Sequence, residues 1–237
     1  MALILNIETS TAVCSISLGK DGKLLALKEN KEGMKHASHL SVFIQNILKE
    51  NDLLPTNLDG VAISMGPGSY TGLRIGVSTA KGICFGANLP LMAISTLQIM
   101  ALTVIQNPSI LSTIKNKQNA YFCPMIDARR MEVYTAFYNI KNEIINDITA
   151  SIIDADSYAK ELLEREIVFF GDGAQKCTEV IDSKNGIFID NIYPSASGMV
   201  EISEQKFQGK QFEDVAYFEP FYLKDFVATT PKKNIFK

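Results

Sequence analysis

The stretch that most constrains this chain is a run of small residues between positions 66 and 86, with the sequence GPGSYTGLRIGVSTAKGICFG. It follows Val61–Ser64, a short apolar segment that is typical of a buried strand. The opening Gly-Pro-Gly predicts a turn, because glycine reaches positive φ at little cost and proline lacks an N–H donor. The rest predicts a helix that runs to about residue 86 and is capped by Ser69 or Thr71.

Such a helix is costly on local grounds, because Gly76 and Gly82 inside it each destabilise it by roughly 0.5–1 kcal/mol relative to alanine. At about 100° per residue, small residues occupy more than half of its circumference. We therefore expect two close backbone approaches, one to the chain's own sheet and one to a helix of another molecule. Spacing alone also allows a surface helix packed within a single domain. The predicted partner-facing residues are Thr71, Gly72, Leu73, Arg74, Gly76, Val77, Thr79, Ala80, Lys81 and Ile83.

A phosphate-binding loop is the competing interpretation of a glycine-rich turn that opens a helix. A Walker loop needs a lysine after its last glycine, whereas Leu73 follows Gly72 here. Pro67 also removes one of the backbone donors that would hold a phosphate. These departures argue against nucleotide binding at this loop.

Composition excludes several classes of protein. The 237 residues carry a net charge of −3 and no basic stripe, which argues against a chain that grips nucleic acid by itself. Four scattered cysteines without a C-x-x-C pair indicate reduced thiols and no zinc framework. The most apolar long stretch, Leu89 to Ile105, is interrupted by polar residues, so no membrane span is expected. We expect a soluble, cytoplasmic protein.

The order of the predicted elements suggests a duplicated α/β fold. A β-hairpin followed by alternating helices and strands occurs twice, separated by a polar stretch that contains Pro108. We place the domains at 1–107 and 108–237, with the final segment from Phe218 packing back on the first half. The second half is expected to contain strands over 132–138 and 143–149 and a helix that begins at Ala174.

Several motifs together resemble the TsaB (YeaZ) family, and they cover almost the whole chain. They are the 66–76 segment, Ile7-Glu8-Thr9-Ser10, the segment around His36, Asp127-Ala128-Arg129-Arg130-Met131-Glu132-Val133-Tyr134, and Glu219-Pro220-Phe221-Tyr222-Leu223. The resemblance implies an actin/Hsp70-like (ASKHA) fold of two related domains, each a mixed sheet flanked by helices.

The resemblance also implies a function. A chain of this kind would be the non-catalytic partner of TsaD, which transfers threonylcarbamoyl to the tRNA adenosine next to the anticodon. The glycine-rich helix would dock TsaD, or a second copy of the chain when it is alone. TsaE would join the larger complex, and tRNA would be reached only indirectly.

An ASKHA fold further implies a nucleotide cleft between its halves. The equivalent residues here are Glu8, Thr9, Ser10, Asp127, Arg129, Gly171 and Gly173. The turn after Asp127 lacks the glycines that let backbone N–H groups approach phosphate, and Asp172 adds a negative charge. We therefore expect a degenerate cleft with no cofactor and no catalytic residue. The alternative is an autonomous ASKHA-type ATPase or small-molecule kinase, which would bind ATP with magnesium.

His36 and His39 are the two histidines of the chain. An H-x-x-H pair supplies two metal ligands, and no carboxylate or cysteine nearby in sequence supplies a third. We therefore expect no metal site. A metallopeptidase, the third possible reading, lacks both a metal triad and a nucleophile.

Overall fold

The structure is a computed structural model that describes residues 2–31 and 36–224, except for the side chains of residues 36–38. The strands are β1 Leu3–Glu8, β2 Cys14–Lys20, β3 Lys23–Asn30, β4 Gly60–Gly66, β5 Leu91–Ser95, β6 Tyr121–Asp127, β7 Glu132–Thr135, β8 Thr149–Ile152, β9 Ile167–Phe170 and β10 Gly186–Ile189. The helices are α1 His36–Glu50, α2 Tyr70–Ala87, α3 Thr96–Ile105, α4 Pro108–Leu111, α5 Ala159–Glu164 and α6 Val200–Gln208.

Two five-stranded sheets repeat one topology. The first has the order β3-β2-β1-β4-β5, and the second has the equivalent order β8-β7-β6-β9-β10. In each sheet the first strand is central, pairing antiparallel with the second strand and parallel with the fourth. The duplicated α/β fold expected from the order of elements is confirmed.

The first core forms between the central strands and the two helices α1 and α2. Leu5, Ile7 and Ile63 point to this side of the sheet and are fully buried. Leu40 and Ile47 of α1 pack into the same cluster at helical spacing. One face of the first sheet is thereby covered by α1 and α2.

The other face of the first sheet is covered by α3 and by residues that follow the second sheet in sequence. Met199 and Ile202 pack in one apolar cluster with Ile4 of β1 and with Met92 and Ile94 of β5. The Oγ of Ser17 on β2 donates a 2.8 Å hydrogen bond to the carbonyl of Ala196. The two ends of the sequence therefore share one core, although the second sheet lies between them in sequence.

Three predicted elements of the second half are wrong in detail. The segment after Ala174 forms a single 3₁₀ turn, Gln175–Cys177, because its amides bond three residues back instead of four. Strand β7 ends at Thr135, since the amide of Phe137 donates to the side chain of Asn146 at 2.6 Å and not to a ladder partner. The third strand of that hairpin accordingly forms later, as β8.

Two expectations from composition can be compared with the described residues. All four cysteines are buried and free. Among the residues that the structure describes, no helix combines the length and apolar character needed to cross a bilayer.

Candidate docking face and cleft turns

Helix α2 begins at a cap and lies tightly on the first sheet. The Oγ of Ser69 accepts a hydrogen bond from the amide of Gly72 at 3.3 Å, which satisfies one of the free donors of the first turn. A Cβ added to Gly72 would lie 2.1 Å from the carbonyl oxygen of Thr9, and one added to Gly76 would lie 2.2 Å from the Oγ1 of Thr9. These two glycines are therefore needed so that the helix can approach the end of β1.

This packing corrects half of the predicted docking set. The side of α2 against its own sheet holds Gly72, Leu73, Gly76, Val77 and Ala80, all of them buried. The predicted close approach to the sheet exists, but it uses the glycines that the sequence pattern had assigned to a partner. Both sides of the helix are rich in small residues, and spacing could not tell which one faced inward.

The opposite side of α2 is open. A Cβ added to Gly82 or to Gly86 would meet no atom within 4 Å. Thr71 and Ser78 are also exposed, and the Phe85 side chain is 87% exposed. We call these five residues the outer face of α2. Three of them, Ser78, Gly82 and Gly86, recur at intervals of four and therefore lie in one row along the helix. We call this row of small residues the ridge.

An apolar groove borders the outer face on the side of α1. Its volume is about 600 Å³, and Thr79 and Ile83 form its α2 wall. The other lining residues are Ser41, Ile44, Gln45, Leu48, Lys49, Asp52, Leu53, Leu54 and Pro55. None of these residues of α1 and of the segment after it belongs to the predicted partner-facing set, although Ile44 and Leu48 recur at helical spacing.

The two cations of α2 are engaged within the chain. Lys81 Nζ donates to the backbone carbonyl of Ala216 at 2.9 Å, and Arg74 Nε donates to the Tyr222 hydroxyl at 3.4 Å. Arg74 is exposed and Lys81 is half-buried. Both were predicted to face a partner, and both hold the end of their own chain beside the helix.

The first cleft turn is sealed by the glycine-rich loop. Glu8, Thr9 and Ser10 are all fully buried. The carbonyl of Ser10 accepts from the Ser69 amide at 2.6 Å, and a Cβ added to Gly68 would lie 2.2 Å from that same carbonyl oxygen. The loop before α2 thus covers the turn where an ASKHA protein would receive phosphate.

The backbone donors of this turn are also occupied. The Ser10 amide donates to Glu8 Oε1 at 2.5 Å, and the Thr9 amide contacts the Oγ of Ser64 at 3.4 Å. A phosphate-binding turn works by directing free N–H groups at the anion. Since these two amides bond side chains of the chain itself, the residues present do not fit a bound polyphosphate.

Glu8 is a buried carboxyl group with one unpartnered oxygen. Its Oε2 has no hydrogen-bond partner among the described residues, and neither does the Oγ of Ser10. Burial raises the pKa of Glu8 to about 7, and the hydrogen bonds from Ser10 and Ser64 oppose that shift only in part. Near neutral pH the folded protein therefore holds a proton here that the unfolded chain releases.

This shift predicts a pH dependence of stability. Because the pKa of Glu8 is higher in the folded state than its ordinary value of 4.5, its contribution is fully present below pH 4.5 and is lost as the pH rises to about 7. The loss amounts to about 3 kcal/mol in the free energy of unfolding. Glu8→Gln should remove this dependence, as measured by urea unfolding at pH 5 and pH 8. Glu179→Gln, at an exposed carboxylate, is the matched control, and an unchanged pH profile in Glu8→Gln would contradict the assignment.

The second cleft turn is closed in the same way. The Asp127 amide donates to Asp172 Oδ1 at 3.0 Å, the Ala128 amide to the Glu132 carbonyl at 3.0 Å, and the Arg129 amide to Asp127 Oδ1 at 3.2 Å. The carboxylate of Asp127 also pairs with the ammonium of Lys176. These three amides and the Asp127 carboxylate are therefore engaged within the chain.

The glycines after β9 serve packing on the neighbouring strand. Gly171 has a φ of +110°, and a Cβ there would lie 2.3 Å from the carbonyl oxygen of Met125. The Gly173 amide donates to the same carbonyl at 3.0 Å, and a Cβ on Gly173 would lie 3.0 Å from the Asp127 nitrogen. The structure thus brings Asp127, Gly171 and Gly173 together, while Glu8, Thr9 and Ser10 pack under the glycine-rich loop.

A polar cavity of about 180 Å³ lies beside this glycine run. It is lined by Gly171, Asp172, Gln175, Asp190, Asn191, Ile192 and Tyr193. Two of these side chains are carboxylates, and no lysine or arginine is among them. A nucleotide phosphate would meet like charge here, so the lining does not suit one.

Of the two histidines, His39 has a described side chain, and its ring centroid lies 5.6 Å from that of Phe43. His36 opens α1, and its side chain lies outside the described residues. Within the described part of the chain, no three His, Cys, Asp or Glu side chains are grouped so as to hold a metal ion.

Comparison with known proteins identifies the family of the chain. Residues 30–232 match the family model described as TsaD, tRNA N6-adenosine threonylcarbamoyltransferase. The chain is 31% identical to the tRNA threonylcarbamoyladenosine biosynthesis protein TsaB of Escherichia coli, covering 95% of this chain and 96% of that protein. It is 30% identical to the TsaB of Bacillus subtilis, covering 93% of each.

Solved structures agree on the fold. YeaZ from Pseudomonas aeruginosa superposes with a TM-score of 0.76 at 22% identity, covering 94% of this chain and all of that one. A second P. aeruginosa structure, of a protein described as similar to peptidase YEAZ, gives a TM-score of 0.81 at 21% identity over the same shares of the two chains. With full-length relatives that carry one name and a shared two-sheet fold, the chain belongs to the TsaB family of tRNA threonylcarbamoyladenosine biosynthesis proteins.

Proposed function

We propose that this chain is the non-catalytic subunit of a threonylcarbamoyladenosine-forming complex, and that the outer face of α2 docks the TsaD transferase. The observation that carries the proposal is the open space beside Gly82 and Gly86. Each glycine destabilises the helix interior by roughly 1 kcal/mol relative to alanine. Nothing described within the chain approaches either of them, so a helix of another subunit is the best reason for keeping this ridge bare.

The groove beside the ridge supports a helical partner. Its walls are apolar side chains of α1 and α2, such as Ile44 and Ile83, and the Leu54 side chain at its edge is 66% exposed. An apolar groove beside a helix can accept the apolar face of a partner's amphipathic helix. A partner helix could lie along the ridge of Ser78, Gly82 and Gly86 and fill the groove with its own side chains.

Similarity between the chain and its partner favours pairing through like surfaces. The match to the TsaD family model spans most of this chain, so the two proteins share related folds. Related folds can associate about a pseudo-two-fold axis, which sets the same face of each against the other. The same geometry accounts for a homodimer of this chain when the transferase is absent.

Both cleft turns support the absence of catalysis by this subunit. The amides of Ser10 and Asp127 bond side chains of this chain, so a phosphate would have to displace them. The transferase would carry out the chemistry, and TsaE would join the larger assembly. With a net charge of −3, this chain is expected to reach tRNA only through its partners.

Calorimetric titration of the wild-type chain with a TsaD transferase tests the docking proposal. We expect one-to-one binding, and we expect threonylcarbamoyladenosine formation by the reconstituted complex to require this chain. An absence of binding would contradict the proposal.

A second titration, of ATP with magnesium into the isolated chain, tests the alternative of an autonomous ATPase or kinase. We expect no heat of binding, because the donors of both turns are occupied. Binding at micromolar ATP would favour the alternative.

A further inference from the structure

The segment that follows α6 runs alongside α2 on the side away from α1. Residues 213–222, which we call the strap, are fixed to the first sheet by backbone hydrogen bonds at both ends. The amide of Glu213 donates to the carbonyl of Leu91 at 2.8 Å, and the amide of Phe221 donates to the carbonyl of Met65 at 2.8 Å. The strap therefore crosses from β5 to the end of β4, parallel to the docking helix.

Lys81 holds the middle of the strap. Its ammonium donates to the carbonyls of Ala216 and Phe218 at 2.9 and 3.1 Å. Val215 and Phe218 pack inward against the first core. The residue between the two bonded carbonyls, Tyr217, is left outside, with 84% of it exposed.

Arg74 and Tyr70 hold the far end of the strap. The guanidinium of Arg74 lies 4.3 Å from the centre of the Tyr70 ring and donates to the hydroxyl of Tyr222 at 3.4 Å. The rings of Tyr70 and Tyr222 are 5.0 Å apart. Stacking of this kind fixes the side chain of an exposed arginine by cation–π attraction.

Two highly exposed aromatic side chains therefore flank Lys81. Tyr217 lies between the carbonyls that its ammonium binds, and Phe85 lies one helical turn further along α2. Phe85 is also part of the outer face, beside Gly82 and Gly86. The apolar groove and this aromatic pair thus lie on opposite sides of the same ridge.

We propose that the strap completes the docking face, and that Lys81 positions it so that Tyr217 and Phe85 form an aromatic edge that contacts the TsaD transferase. This inference rests on the docking function proposed above. The edge is continuous with the bare ridge, and tyrosine and other large aromatics are enriched among the residues that dominate protein interfaces. Because the exposed side chains of Tyr217 and Phe85 are aromatic and uncharged, the edge that they form recognises an apolar surface.

Single substitutions test the aromatic edge. Tyr217→Ala and Phe85→Ala should each weaken binding of the transferase by about tenfold or more in calorimetric titration. Leu163→Ala on α5 is the matched control, because Leu163 is 85% exposed and lies in the second half; its affinity should equal that of the wild type. Wild-type affinity in both aromatic variants would overturn the inference while leaving the docking function intact. Failure of the wild-type chain to bind would instead count against the docking function itself.

A double-mutant cycle tests the positioning role of Lys81. Lys81→Met keeps the length of the side chain but removes the donors, so the amides of 213–222 should exchange hydrogen faster and binding should weaken. In a Tyr217→Ala background, Lys81→Met should cause little further loss, because it acts through Tyr217. Full additivity of the two effects would show that Lys81 contacts the partner directly and would overturn its positioning role. A Tyr217→Ala effect confined to self-association in sedimentation would assign the edge to a second copy and overturn the transferase assignment.

Discussion

Gly82→Leu is expected to weaken binding of the TsaD transferase by about a hundredfold or more while leaving the fold intact. A leucine side chain at this position extends into open space, since even a Cβ meets nothing within 4 Å. In the isolated chain it therefore causes no clash. It also lowers the conformational entropy of the unfolded chain, which favours the folded state. In the complex it would occupy the volume that the partner helix needs.

Gly82→Ala separates the two effects. We expect the free energy of unfolding to rise by about 0.5–1 kcal/mol, because alanine is the better helix former. Thermal unfolding followed by circular dichroism measures stability, and calorimetric titration measures docking. Wild-type affinity in Gly82→Leu would place the partner elsewhere on the molecule, and loss of helical signal would show that the face is not open.

Gly76→Ala is expected to have the opposite effect on stability, although it lies on the same helix. The new Cβ would lie 2.2 Å from Thr9 Oγ1 and 3.0 Å from Ile63 Cδ1. The threonine hydroxyl donates to the Gly72 carbonyl at 2.8 Å, so it cannot move without breaking that buried bond. We expect the free energy of unfolding to fall by about 3 kcal/mol or more.

Urea unfolding of Gly76→Ala and Gly82→Ala side by side measures this contrast directly. Equal stability of the two variants would contradict the orientation of α2 on the sheet. The larger change Gly76→Leu would unfold the first half, so a loss of docking in that variant would report on folding and not on the interface. Tests of docking therefore belong on the outer face.

Helix α2 shows most clearly which features a sequence pattern leaves open. The wide arc of small residues correctly predicted a close approach to the sheet. The approach of the same helix to a partner remains a prediction. Its rotation could not be assigned, because Gly76 and Gly82 are equivalent in sequence and differ only in facing Thr9 or open space. The contacts of Arg74 and Lys81 within the chain were not predicted, for a related reason. Their contacts lie 135 or more residues away, and those of Lys81 are main-chain carbonyls that no sequence pattern reveals.

The cleft was predictable in part. The missing glycines after Asp127 indicated poor phosphate binding, and a turn whose amides bond their own chain agrees with that expectation. The sequence could not show that the loop before α2 seals the turn at Ser10, because that contact joins segments nearly 60 residues apart. The pKa of Glu8 likewise depends on three-dimensional burial.

The distance in sequence between the first sheet and residues 196–202 has a consequence for biosynthesis. Met199 and Ile202 complete the layer over the face of the first sheet that α1 and α2 leave bare, beside Ile99 and Leu102 of α3. During translation, β1 to β5 and α3 emerge well before these residues, because the whole second sheet lies between them in sequence. One face of the first sheet is therefore only partly covered until residues 196–202 have left the ribosome.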